Sequence, residues 1–360
     1  MSFRKLPRWV LWSLFLPLMV LNGWVALKLF EYFQSLFTIV ISSTLLAFIL
    51  NYPVQRLQRL PRLSRGGAIA VVLLLGSAMV GIAGVTLFPQ LFSQLAQFAE
   101  TLPEWIASSG DNISGIQSWV TKRGLNVDIA SLVTQLETYL SAQAKVLSGL
   151  VITALPDAIA NLLDIFLTIV LTIYLLLHGG EVWGNLLQLL PVKIGRRLTP
   201  AVSMSFHNYF ISQATVSLMM GVAMTVAFLV IRAPFGLLFG IVIGVLGMIP
   251  FGASLGIIAV SVLAAFQSVW LGLKVLVVAF VVDQIVENAI APTLIGNVIG
   301  LNPVWILVSL IIGSKILGLL GLIIAVPIAS TIKVLLSKPA DKPRPIAPAE
   351  VSHSVPLLKG

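Results

Sequence analysis

Asp283, Gln284, Glu287 and Asn288 close an apolar run that begins near residue 269. Spacing of four on a helix sets Asp283 beside Glu287, and Gln284 beside Asn288, on adjoining strips of one face. An ionised side chain at the centre of a membrane helix costs about 2.5–3.5 kcal/mol on insertion scales, so two carboxylates there need a cavity, a counter-ion or a proton. Such groups usually serve an ion or substrate pathway. Two structural alternatives stand beside that one: a wetted end of the run, or a static pair with Lys315 in the last apolar run. Pro292, four residues after Asn288, has no amide hydrogen and so leaves the Asn288 carbonyl free to join a cation or proton site.

A second interruption falls inside the run 235–263, where Gly247, Pro250, Phe251 and Gly252 predict a broken helix or a re-entrant turn. Pro303 and Pro327 are further candidate breaks. The glycines at 236, 240, 244, 252 and 256 recur every four residues, which suits close helix packing or a hinge. Asp164 is a third membrane carboxylate, either a relay member or the partner of a polar neighbour. Gly252 to Gly256 also spells G-x-S-x-G, the nucleophile elbow of hydrolases, but the strand before it and a histidine base inside another apolar run are both missing. No P-loop and no H-E-x-x-H occurs, so ATP hydrolysis and zinc protease chemistry have no motif; we expect no enzyme, no cofactor and no metal.

The elements that must position these residues follow from composition. Of 360 residues 58% are hydrophobic and 10% charged, a balance that requires lipid as solvent. Apolar runs of membrane-spanning length fall near 9–29, 33–50, 67–89, 150–177, 208–231, 235–263, 269–287 and 304–332. The fold class is therefore an all-α integral membrane protein of about eight transmembrane helices, with broken or re-entrant segments in the C-terminal half. Net charge is +9, yet the basic residues form clusters at alternate turns rather than a nucleic-acid surface. These are Arg4, Lys5 and Arg8; Arg56, Arg59, Arg62 and Arg65; Lys193, Arg196 and Arg197; and Lys333, Lys338, Lys342 and Arg344. An even number of crossings between them places all four, and both termini, in the cytoplasm.

Residues 1–89 form the first three spans, 90–149 an extracytoplasmic insert, 150–332 the remaining five, and 333–360 a disordered tail rich in proline and charge. The insert carries two stripes at helical spacing, Leu91, Leu95, Phe98, Leu102 and Ile129, Leu132, Leu136, Leu140, which predict two amphipathic helices joined by a polar turn near 108–115. Their apolar faces would pack on each other and the membrane surface, or on neighbouring subunits.

Nearly the whole membrane portion, residues 200–332 in particular, resembles the autoinducer-2 exporter family of bacterial membrane proteins. The resemblance rests on Ile249, Pro250, Phe251 and Gly252; on Glu287, Asn288 and Pro292; on Gly296, Gly300, Leu301 and Pro303; and on Gly313, Gly318, Gly321, Val326 and Pro327. Phe251 stands where the family commonly has tyrosine. The resemblance implies an eight-span fold, homo-oligomers with pentamers among the expected forms, and the bacterial cytoplasmic membrane. It also implies gradient-driven export of a small molecule such as autoinducer-2, or sodium–proton antiport. On that expectation Glu287, assisted by Asp283 and Asn288, binds the proton or cation; the rival classes are a non-transporting membrane scaffold and a passive channel.

Overall fold

The computed structural model describes residues 8–59, 63–122, 161–290 and 301–336, with isolated helical positions between 134 and 160. Pro292, Gly296, Gly300, the insert's second stripe and the tail beyond Leu336 lie outside the described residues, while residues 333–336, expected in the tail, continue the last helix. The described chain is helical without a strand: α1 Arg8–Tyr32, α2 Gln34–Leu57, α3 Arg65–Thr86, α4 Phe88–Lys122, α5 Leu162–Gln188, α6 Val192–Val230, α7 Gly236–Leu246, α8 Gly252–Gln267, α9 Val269–Gln284 with a π-helical continuation Ile285–Ile290, and α10 Pro303–Leu336. Hydrocarbon offers the backbone no hydrogen-bond partner, so apolar runs of this length satisfy their own amides as helices. Rows of exposed Leu, Val, Ile and Phe along α1, α2, α3 and α5 are the surface such a solvent demands.

Six described helices are long and apolar enough to cross a membrane: α2, α3, α5, α6, α9 and α10. The last of them does not run straight. Gly318 has φ 58 and ψ −131, and a side chain at Gly313 would strike the backbone of Gly321 and lie 2.9 Å from the Ala325 Cβ. In a continuous helix those residues are about 12 Å and 18 Å apart along the axis. The chain therefore folds back at Gly318, and α10 is two antiparallel arms, called hairpin 2. This corrects the expectation of one straight crossing over 304–332.

The run 235–263 divides as well. α7 has 11 residues and α8 has 16, about 16 Å and 24 Å long, each short of a hydrocarbon core about 30 Å thick. α7 runs back along α6, with Gly236 against Phe228, Gly240 against Thr225 and Gly244 against Gly221; α8 then returns along α7, with Gly256 against Ile243. This is hairpin 1. α9 descends antiparallel to α8, with Gly272 against Ala265. Hairpin 1 thus opens at the C-terminal end of α6. Hairpin 2 opens at the opposite end, because Ser330 bonds Ser205 and Val326 packs with Tyr209, so its second arm runs toward the start of α6.

Pro303 and Pro327 do not break helices. Pro303 is the first residue of α10, where its missing N–H would be unbonded anyway, and the helix passes through Pro327 with Thr331 Oγ1 donating to the Pro327 carbonyl at 2.8 Å. The insert also differs from expectation: α4 is continuous from Phe88 to Lys122, with no turn at 108–115. Gly110 and Gly115 each cost a helix interior only about 1 kcal/mol, which a long cooperative helix absorbs. The stripe Leu91, Leu95, Phe98 and Leu102 packs on hairpin 1.

Around this core α2 packs on α5, where Thr172 Oγ1 lies 3.4 Å from the Ser43 carbonyl, and α3 is pinned by Arg65, whose Nε and Nη2 donate to the Leu176 carbonyl at 3.2 and 2.9 Å.

Candidate functional site

The two hairpins converge on one level of α6. Tyr209 Oη donates to the Met248 carbonyl at 3.2 Å and Gln213 Nε2 to the Gly247 carbonyl at 2.5 Å, so α6 holds the tip of hairpin 1 by two carbonyls that its own turn leaves free. The register that pairs Ser330 with Ser205 and Val326 with Tyr209 brings Gly318, the tip of hairpin 2, level with Ser217. Ile249 of the first tip packs against a cluster formed by Tyr209 and Phe210 of α6 with Leu310, Ala325 and Val326 of hairpin 2, so α6 carries both hairpins. Ser217 falls close to the middle of the apolar stretch 208–231, so the tips meet near mid-membrane.

Local chemistry explains the break in hairpin 1. Gly247, Met248 and Ile249 donate to the Ile243, Val245 and Leu246 carbonyls, closing the end of α7. Phe251 then takes φ 66, and any side chain at Gly252 would run into the Leu246 carbonyl, so the return of the chain requires glycine there. The negative end of α7 and the positive end of α8 therefore face each other inside the apolar layer, an arrangement able to receive a cation on one side and an anionic group on the other.

Asp283 belongs to this level. The register pairing Ala265 with Gly272 pairs Ser254, in the first turn of α8, with Asp283. The side chain is only 6% exposed, and its Oδ1 has no hydrogen-bond partner among the described residues; the same holds for Ser217 Oγ. A buried carboxylate oxygen left unpaired is costly, and at membrane depth it is a candidate for a functional site. Glu287, one turn on, is exposed, as are Gln284 and Asn288, whose amides bond each other at 2.7 Å. They sit where α9 widens into its π-helical turn, a feature frequent at functional sites.

The other candidates lie elsewhere. Lys315 is exposed on the first arm of hairpin 2, and among the described residues no ion pair joins it to Asp283 or Glu287. Asp164 sits in the first turn of α5, where its Oδ2 accepts from Ser35 Oγ at 3.0 Å and its charge suits the helix N-terminus. It is tied to a polar neighbour across α2, away from the hairpin tips. Sequence reasoning did not bring Tyr209, Gln213 or Ser217 to the site. Their signal is nevertheless present: Tyr209, Gln213 and Ser217 recur every four residues along one strip of an otherwise apolar helix.

A buried carboxylate beside the tip of hairpin 1 is what a transport pathway would need, and sequence comparison points to transport as well. The profile of the AI-2E family of transporters covers residues 14–339. The chain belongs to that family. Two Synechocystis relatives, sll0060 and sll0063, both carried under provisional transport-protein names, are each 38% identical; the first matches 92% of this chain and 96% of its own, the second 99% and 91%. The AI-2 transport protein TqsA of Escherichia coli is 24% identical over 82% of this chain and 83% of its own. This AI-2E family member is accordingly a multi-pass membrane protein of a transporter family, with the bilayer as its solvent and small molecules as the class of substrate.

Proposed function

We propose that this chain is a gradient-driven secondary transporter of the bacterial cytoplasmic membrane, exporting a small molecule such as autoinducer-2 or exchanging a cation for protons. Both termini are cytoplasmic, on the side of the four basic clusters, and the chain works as a homo-oligomer. The observation that carries the proposal is the unpaired, buried Oδ1 of Asp283 at the depth where the two hairpin tips meet. Asp283 binds the proton or cation, the open ends of α7 and α8 and the Gln213 and Tyr209 side chains shape the substrate site, and exposed Glu287 and Asn288 form the approach to it. The leading role thus moves from Glu287 to Asp283, one helical turn deeper.

Flux in proteoliposomes tests this. Under an imposed pH gradient, with sodium and then a panel of small signalling molecules added, Asp283→Asn is expected to abolish coupled flux while the protein inserts and purifies as wild type. Glu287→Gln is expected to slow flux and leave its coupling intact. Coupled flux persisting in Asp283→Asn removes the carboxylate from the mechanism.

A further inference from the structure

The N-terminal end of α7 lacks a cap of its own. Arg232, Ala233, Pro234 and Phe235 precede it, none of them a residue whose side chain caps a helix, and the N-cap Phe235 makes no side-chain hydrogen bond. The bond is supplied from 144 residues away: Gln94 of α4 accepts from the Leu238 amide through Oε1 at 3.0 Å. Gln94 lies on the same strip of α4 as Leu91 and Phe98, where it is half-buried in an otherwise apolar face. That position would favour leucine unless the amide had work to do.

The turn beside it is strained. Arg232 and Phe235 take φ 54 and 56, left-handed values that L-residues with side chains adopt only when their surroundings enforce them. The enforcing contacts come again from α4: Phe98 meets Phe235 edge-on at 5.4 Å, and Trp105 meets it at 5.7 Å. We propose that Gln94 is a positioning residue, the centre of a latch by which α4 holds the outer arm of hairpin 1 in a strained turn and so controls movement of the tip at the transport site. The control of transport rests on the function proposed above; the latch itself does not. α4 continues beyond Ile106 to Lys122, so the latch sits at the near end of a helix that runs on through the insert.

Hydrogen exchange on the full chain in nanodiscs, with flux measured in parallel, tests it. Gln94→Leu keeps the volume and removes the acceptor, and Gln94→Glu keeps an acceptor that suits a helix N-terminus. Amides at the start of α7 are expected to exchange about fivefold faster in Gln94→Leu, the scale of a lost cap, with α9 unchanged and Gln94→Glu at the wild-type rate. The maximal flux is expected to change severalfold with the half-saturation concentration within twofold of wild type. Unchanged exchange at α7, an equal rise in α9, or Gln94→Glu behaving as Gln94→Leu would overturn the latch. Faster local exchange with flux constants identical to wild type would overturn its control of transport. A wild-type protein without coupled flux defeats the transporter reading instead, and the exchange rates still decide the latch.

Discussion

Replacing Gly244 with alanine should pry hairpin 1 from α6. A Cβ built there lies 2.5 Å from Gly221 Cα, 3.0 Å from Gly221 N and 3.2 Å from the Ser217 carbonyl, all of them backbone atoms that no rotamer change can move. Ordinary contact needs about 3.5 Å, so the helices must separate by about 1 Å. Overpacking of this kind costs about 1–3 kcal/mol. The same movement stretches the Gln213 and Tyr209 bonds to the tip, each worth about 0.5–1.5 kcal/mol. The loss should therefore reach about 2 kcal/mol or more. The control is Gly76→Ala on α3, where nothing lies within 4 Å of the new methyl and helix propensity improves. Gly221→Ala should fall between them, since its methyl comes no closer than 3.2 Å to Gly244. Melting midpoints of the purified variants, taken in one detergent at one scan rate, give the ranking. If Gly244→Ala melts with Gly76→Ala and transports as wild type, α6 and α7 are not packed backbone to backbone, and the account of the tip fails.

Further predictions concern the two hairpins. Gly318→Ala should melt well below wild type although open space surrounds the position, because its backbone conformation costs a side chain about 1–3 kcal/mol; a melting midpoint equal to that of Gly76→Ala would mean a straight α10. The chain has no cysteine, so single cysteines report topology directly. Arg232→Cys and Ser268→Cys should react with an impermeant thiol reagent from the same side of the membrane and Asn302→Cys from the other; labelling of 232 and 268 from opposite sides would restore a straight crossing. Arg65→Leu, which removes both bonds to the Leu176 carbonyl, should lower the melting midpoint, while Arg65→Lys recovers part of the loss; equal melting of all three proteins would show that the clamp contributes nothing.

The parts of the fold legible in the sequence are those set by local composition. Apolar runs of sufficient length give helices, and a proline between Gly247 and Gly252 announces a break without any knowledge of neighbours. Gly318 carries no such announcement. Nothing local separates it from Gly313 and Gly321, which stay helical, and its left-handed backbone is imposed by the packing of the two arms on Tyr209 and Phe210. The two carboxylates make the same point within the site. Helical spacing puts Asp283 and Glu287 on one face and gives no reason to rank them; α8 and α6, which cover one turn of α9 and leave the next open, bury the first and expose the second. The apolar stripe of α4 was legible too, but its destination on hairpin 1 depends on a contact across more than a hundred residues.

The charge pattern shows how a correct sequence rule can leave topology open. Basic clusters on one side demand an even number of crossings between them, and eight straight spans meet that demand. So do six spans (α1, α2, α3, α5, α6 and α9) and two hairpins, because folding back two segments removes two crossings and preserves parity at every cluster. Only the side reached by the loops near 232, 268 and 302 distinguishes the two arrangements. That difference has a functional consequence. With straight spans, Asp283 would sit at the far end of its helix from the basic clusters, beside open water. With hairpins, hairpin 1 and α9 pack along α6 from one end and hairpin 2 along it from the other, and both chain breaks fall near one level of α6. Asp283 then lies buried beside the tip of hairpin 1 rather than at open water. If the chain transports as proposed, access to that carboxylate requires a tip to move, and no continuous polar path has to exist.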